Sequence, residues 1–101
     1  MQSQNFSGVL ATGQTSGQVK ADAAVNALVT VSGTWTGTLT LQGVDSQGNA
    51  YSISVTPTTS STLAATITVN GAYTGSVRGF SFVQVLAGTI TGSPLVTVAV
   101  G

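Results

Sequence analysis

The sequence predicts an all-β protein, a single antiparallel β-sandwich of the jelly-roll type with about seven or eight short strands. Two observations support this. Apolar and polar residues alternate with period two in several short runs, and turn-forming residues separate the runs. No helical periodicity is sustained over the length of a helix. At 101 residues, with no linker or internal repeat, the chain is expected to form one domain.

The clearest element is a hairpin over residues 33–55. Apolar side chains alternate with threonine in its first strand and with serine in its second, which is typical of strands that bury one face. Trp35 is the only tryptophan, so we expect the core to be built around it. The connecting turn, residues 45–49, is rich in residues that hydrogen-bond their own main chain. The predicted core residues of the hairpin are Trp35, Leu39, Leu41, Tyr51, Ile53 and Val55.

The N-terminal part has two interpretations. Residues 1–16 are either an arm that becomes ordered on a partner or the first strand of the sandwich, with Phe6, Val9 and Leu10 as its apolar groups. Residues 17–101 are assigned to the sandwich domain. Within it, residues 25–31 alternate as a strand with one apolar face.

After the hairpin, a Ser/Thr-rich loop at residues 57–62 precedes a predicted strand over residues 63–69. Asn70 and Gly71 then form a turn signal. Residues 79–87 are apolar on both faces, which indicates either a central, covered strand or a subunit contact. The chain closes with a strand over residues 95–100.

The charge content argues against several classes of partner. Charged residues make up 4% of the chain, against about 25% in typical domains. The four of them are Lys20, Asp22, Asp45 and Arg78, and the net charge is zero. Neither nucleic-acid binding nor a polybasic membrane contact is expected, because each needs clustered cations. A surface this poor in charge favours a protein that works in an assembly or outside the cell.

Side chains for catalysis are scarce. Without cysteine or histidine the chain has no disulfide, thiolate metal site or Ser-His-Asp triad. Asp45 is explained by its turn, where a weak calcium site with Asn49 is a minor alternative, and Asp22 lies beside Lys20. We therefore predict no catalytic residues, no metal, no cofactor and no enzymatic activity. Tyr73 is the aromatic side chain expected to be exposed enough to stack on a sugar.

A series of short motifs carries a family resemblance. In chain order they are G-x-W-x-G-T-L, an acidic turn ending in Gly-Asn, a strand led by an aromatic residue, a Ser/Thr loop, N-G-x-Y, V-x-G and a closing hairpin. They occur at residues 33–39, 45–49, 51, 57–62, 70–73, 77–79 and 91–98. This order resembles the small β-sandwich virion proteins of tailed bacteriophages, over residues 17–101. The chain departs from that pattern at Tyr51, where tryptophan is expected, and in its very low charge.

The resemblance implies a structural role in a phage particle, with a capsid decoration (cement) protein as the leading interpretation. Its implied partner is the major capsid protein. The charge-poor surface and the apolar faces of residues 79–87 further predict that the protein associates with itself, as a homotrimer. Its implied location is the virion, assembled in the bacterial cytoplasm and released by lysis, and the sequence shows no signal peptide. The alternatives are a tail or baseplate component and a carbohydrate-binding module for a surface glycan. The candidate interface residues are Phe6, Val9, Leu10, Tyr73, Arg78, Phe80 and Phe82.

Overall fold

A computed structural model describes residues 4–21, 25–59 and 62–100 of the protein. These residues form nine β-strands, and none of them is helical. Along this described part, accordingly, there is no helix that is long and apolar enough to cross a membrane. The strands are β1 (Gln4–Val9), β2 (Val19–Lys20), β3 (Asn26–Ser32), β4 (Trp35–Val44), β5 (Ala50–Ile53), β6 (Thr56–Pro57), β7 (Gly71–Ser76), β8 (Phe82–Gly92) and β9 (Leu95–Val100).

The strands form two antiparallel sheets whose order defines a jelly roll. The first sheet has the order β1-β9-β3-β7-β6, and the second has the order β2-β8-β4-β5. When the short β6 is left aside, the strands pair first with last: β1 with β9, β2 with β8, β3 with β7 and β4 with β5. This nesting is a long hairpin wound into two facing sheets, which is the jelly-roll arrangement. The predicted all-β sandwich is therefore confirmed.

The core lies between the two sheets and is rich in valine. The inward faces of β3, β8 and β9 supply alternating apolar residues, as the period of two requires. From the hairpin, Leu39, Leu41, Ile53 and Val55 are all buried. The strand that is apolar on both faces, β8, is central, because it pairs with β2 on one side and β4 on the other. The remaining large core side chains include Val29, Ile67, Val77, Val83, Val85, Val96 and Val98.

Tyr51 is not a core residue, contrary to the prediction. It lies on the same side of β5 as the buried Ile53, so the alternation assigned its direction correctly. However, it stands near the end of the second sheet, opposite Gly43, and 51% of it is exposed. The alternation identifies the inward side of a strand, but it does not tell how far the facing sheet extends.

Residues 63–69 do not form the predicted strand. Ala64 pairs with Val55, which lies between β5 and β6, whereas Ile67 pairs with Leu39 in β4, so no continuous ladder develops. The segment instead crosses the edge of the sandwich. Ile67 is inserted into the core and Ala64 packs against it, while Leu63 and Val69 are 69% and 63% exposed.

The N-terminal segment belongs to the sandwich from residue 4 onward. All six residues of β1 pair with β9, so an unpaired arm does not describe residues 4–9. Leu10 then enters the core, and its N–H donates to the carbonyl of Pro94 at 3.3 Å. The following loop is held against β8, where Ser16 N–H donates to the Val85 carbonyl and Val85 N–H donates to Ser16 Oγ, each at 2.8 Å. A chain with this many backbone contacts is an integral part of the fold.

Candidate functional site

Two aromatic side chains meet at one end of the sandwich, which we call the open end. Tyr51 and Phe80 have ring centroids 6.2 Å apart at an interplanar angle of 35°. Gly43 lies directly beneath Phe80, because a Cβ atom on this glycine would overlap the phenyl ring. The missing side chain at Gly43 therefore makes the space in which Phe80 packs. The result is a half-buried phenyl ring beside an exposed phenol, and such an arrangement suits contact with an apolar or sugar surface.

The turn at the open end is stabilised by Asp45. Its carboxylate oxygen Oδ1 accepts hydrogen bonds from the N–H groups of Gln47 and Asn49, each at 2.9 Å. Gly48 has a φ of +86°, a conformation that glycine adopts without cost. These hydrogen bonds, first of all the one from the Asn49 backbone, hold the pKa of Asp45 below its ordinary value. The carboxylate thus serves the turn.

The described residues offer little else for chemistry at charged groups. Within the described ranges, no three residues of the types His, Cys, Asp and Glu lie close enough together to hold a metal ion. Asp22, the second carboxylate of the chain, lies outside the described residues. The expectation that the protein is not an enzyme therefore stays a prediction.

The opposite end, which we call the closed end, is built around Trp35. Contrary to the prediction, the core is not built around this side chain, which is half-buried and packs against the core from its end. Its indole Nε1 donates to Oδ1 of Asn70 at 2.7 Å, and Nδ2 of Asn70 donates to the Gly33 carbonyl at 2.9 Å. Asn70 therefore connects the end of the segment 63–69, which we call the crossing segment, to the start of β4 by hydrogen bonds. Because the indole packs on the core and its N–H is occupied, Trp35 is better explained as a structural residue than as a sugar-stacking platform.

The predicted interface residues do not form one surface. Tyr73 and Leu10 are buried, contrary to the prediction, and the Tyr73 hydroxyl donates to the Val69 carbonyl at 2.8 Å. Side chains alternate between the two faces of β7, and Tyr73 lies on the same inward face as Gly75. At the open end, Arg78 is exposed, whereas Phe80 and Phe82 are half-buried. Val9 is exposed on β1, and the side chain of Phe6 lies outside the described part of the structure.

Sequence reasoning missed the outer face of the first sheet. None of the five strands in this sheet contains a charged residue. Small and hydroxylated side chains form rows across it, and the exposed Leu28 and Leu95 interrupt them. The signal was present, because the outward positions of β3 and β9 carry Thr, Ala and Leu where a solvated strand carries Lys or Glu. One such row runs across Ser7, Thr97, Thr30 and Ala72.

Comparison with known proteins identifies the fold. No protein-family model and no curated protein sequence matches the chain. Among solved structures, the SPBc2 prophage-derived protein YomS is similar at a TM-score of 0.85 and 17% identity, over 98% of this chain and 92% of YomS. The PBSX exported protein XepA is similar at a TM-score of 0.84 and 20% identity, over 99% of this chain. The chain corresponds to 38% of XepA, so it matches a part of that protein. At such low identities, the similarity establishes a shared fold.

Proposed function

We propose that the protein is a non-enzymatic structural component of a bacteriophage particle, and specifically a capsid decoration protein that stabilises the shell. The observation that carries the proposal is the similarity to the prophage-derived YomS, which extends over 98% of this chain and nearly all of YomS. The sequence resemblance to phage virion proteins supports the same class independently. On this proposal the protein resides in the virion, after assembly in the host cytoplasm and release by lysis.

The proposed partners are the major capsid protein and other copies of this chain. The charge-free first sheet supports a contact by shape, hydrogen bonding and apolar burial, since an uncharged surface of Thr, Ser and Leu is adequate for these. A homotrimer remains the expected state on the shell, because three-fold positions of an icosahedral capsid suit a trimeric cap. No nucleic-acid or membrane contact is proposed.

The test is localisation on the particle. Purified protein is mixed with shells and, separately, with tails of the phage that encodes it, and bound protein is measured by co-sedimentation and located by cryo-electron microscopy. Binding to shells that changes little with salt supports decoration, because a contact without charge has little to screen. Density only on the tail or baseplate favours the tail alternative. Density on neither overturns the structural role.

A carbohydrate-binding role is the second candidate, and one observation favours it. Tyr51 at the open end is 51% exposed beside Phe80, in the arrangement that sugar rings stack on. Glycan-array binding that is abolished by Tyr51→Ala and retained in Trp35→Phe would support it. An array with no bound glycan would remove this candidate and leave the capsid proposal unaffected.

A further inference from the structure

Within the described residues, one edge of the first sheet has none of the usual protection against strand pairing. β1 is the outermost strand of that sheet, and its six residues, QNFSGV, include no charge and no proline. Among the described strands, the other sheet edges are shorter: β2 and β6 have two residues each, and β5 has four. Exposed edges are commonly protected by lysine, proline or bulges, because their free N–H and C=O groups bind other strands. β1 is therefore the longest unprotected edge in the described part of the chain.

The register shows which backbone groups of β1 are free. Gly8 lies opposite Val96. Two residues further on, the N–H of Leu10 donates to the Pro94 carbonyl, in the same register. In an antiparallel ladder, alternate residues exchange both hydrogen bonds with the partner strand and the residues between them point away. Gly8 and its even-numbered neighbours therefore bond to β9. The N–H and C=O groups of Asn5, Ser7 and Val9 point to the free edge.

We propose that this edge pairs with the same edge of a second copy of the chain, antiparallel about a two-fold axis at Ser7. The free groups are self-complementary in that register, since Ser7 faces its own counterpart and Asn5 faces Val9 of the second copy. Each of these pairs is a hydrogen-bonded pair of an antiparallel ladder. The first sheets of the two copies then form one continuous sheet with a single charge-free outer face.

The side chains beside the edge are compatible with this pairing. Val9 is 56% exposed on the outer face of β1, so it gains burial from a strand added outside β1. Ser7 is exposed with its Oγ 3.5 Å from Oγ1 of Thr97. No like charges meet at the axis, where they would oppose pairing.

The proposal rests on the self-association that is part of the proposed function, but it predicts an even number of copies in place of the expected homotrimer. A two-fold interface uses the same patch on both copies, whereas a closed ring of three needs two different patches on each. Edge pairing alone gives a dimer, and combined with a separate three-fold contact it gives a hexamer. An oligomer with an odd number of copies is not compatible with a two-fold contact formed by every copy.

The test uses isolated, full-length protein and two variants at the axis. In Ser7→Pro the lost N–H is one that points away from β9, so the fold should be retained while the central pair is lost. In Ser7→Lys two ammonium groups meet at the axis. We expect either variant to weaken dimerisation by about ten-fold or more, and added salt to restore part of it only in Ser7→Lys. The matched control is Ser76→Lys, which adds the same charge to the exposed outer side of β7, away from β1.

Sedimentation equilibrium over a concentration series measures the mass, and circular dichroism establishes that each variant is folded. Dimers in the parent and in Ser76→Lys, but not in the Ser7 variants, support the proposal. If Ser7→Pro fails to fold, Ser7→Lys alone decides. A monomer at all concentrations, a trimer, or a dimer unaffected by Ser7→Lys overturns it. Because no shell is involved, failure here leaves the capsid proposal standing, and failure to bind shells leaves the dimer standing.

Discussion

Trp35 and Tyr51 belong to the same hairpin and obey the same alternation, yet the protein uses them differently. Trp35, at the closed end, packs on the core and donates a hydrogen bond to Asn70. Tyr51, at the open end, leaves half of its surface in solvent and contacts only the ring of Phe80 among aromatic partners in the described residues. The difference comes from what crosses each end of the sandwich.

At the closed end, the crossing segment covers the start of β4. Ile67 exchanges two backbone hydrogen bonds with Leu39, at 2.8 and 2.7 Å, and Asn70 reaches both Trp35 and Gly33. At the open end, Gly43 has no side chain, and the Phe80 ring occupies the space where a Cβ atom would lie. A covered end stabilises the fold, and an uncovered aromatic pair is available to a partner.

The largest effect should come from adding a methyl group at a glycine of each end. Gly37 has a φ of +133°, and its Cβ would overlap the Thr89 carbonyl oxygen, which is backbone and cannot turn aside. We expect Gly37→Ala to cost about 3 kcal/mol or more of unfolding free energy. In Gly43→Ala the nearest atoms to the added Cβ belong to the Phe80 side chain and not to the backbone, so a smaller cost of about 1–2 kcal/mol is expected. Urea denaturation measures both, and equal losses would contradict the distinction between the ends.

Truncation of the two aromatic residues should give the next largest difference. Trp35→Ala removes a side chain packed on the core together with its hydrogen bond, and we expect a loss of about 3 kcal/mol. Tyr51→Ala, which leaves core packing intact, should cost about 1 kcal/mol or less. Thermal unfolding is the measurement. A shift of only about one or two degrees for Trp35→Ala would place Trp35 among surface residues.

These contrasts show what the sequence could predict. The alternation correctly assigned the inward side of Leu39 and Ile53, because a pleated strand has only two faces. It could not predict which parts of a strand are covered, because that depends on where non-adjacent segments run, and so it misplaced Tyr51. Tyr73 was expected to be exposed because it follows the Asn70-Gly71 turn, and this position does not determine the direction of its side chain. The free edge of β1 was equally hidden, because the position of a strand in a sheet follows from topology. The charge-free outer face, by contrast, could have been inferred from residue types alone.

The hydrogen bond at the closed end should make a smaller, separable contribution. Trp35→Phe retains an aromatic ring but loses the indole N–H, and Asn70→Ala loses its acceptor along with the bond to Gly33. We expect about 1 kcal/mol for the Trp35–Asn70 bond itself, obtained as the coupling energy of a double-mutant cycle. Additive effects of the two substitutions would mean that Asn70 acts through Gly33 alone.

The smallest expected effect concerns the exposed turn at the open end. The backbone N–H groups that bind its carboxylate lower the pKa of Asp45 in the folded state. A group with a lowered folded-state pKa stabilises the fold above its unfolded pKa, and that stabilisation is lost as pH falls through the folded value. Stability of the parent should therefore decline on the acid side of the ordinary aspartate pKa.

In Asp45→Asn, whose amide oxygen can still accept both N–H groups, this part of the decline should be absent. Carboxyl-carbon NMR titration gives the pKa directly, and a value at or above that of a free aspartate would contradict the assigned role of the turn. The Trp35–Asn70 hydrogen bond at the closed end is the internal control: neither side chain titrates in that range, so its contribution to stability should not change with pH.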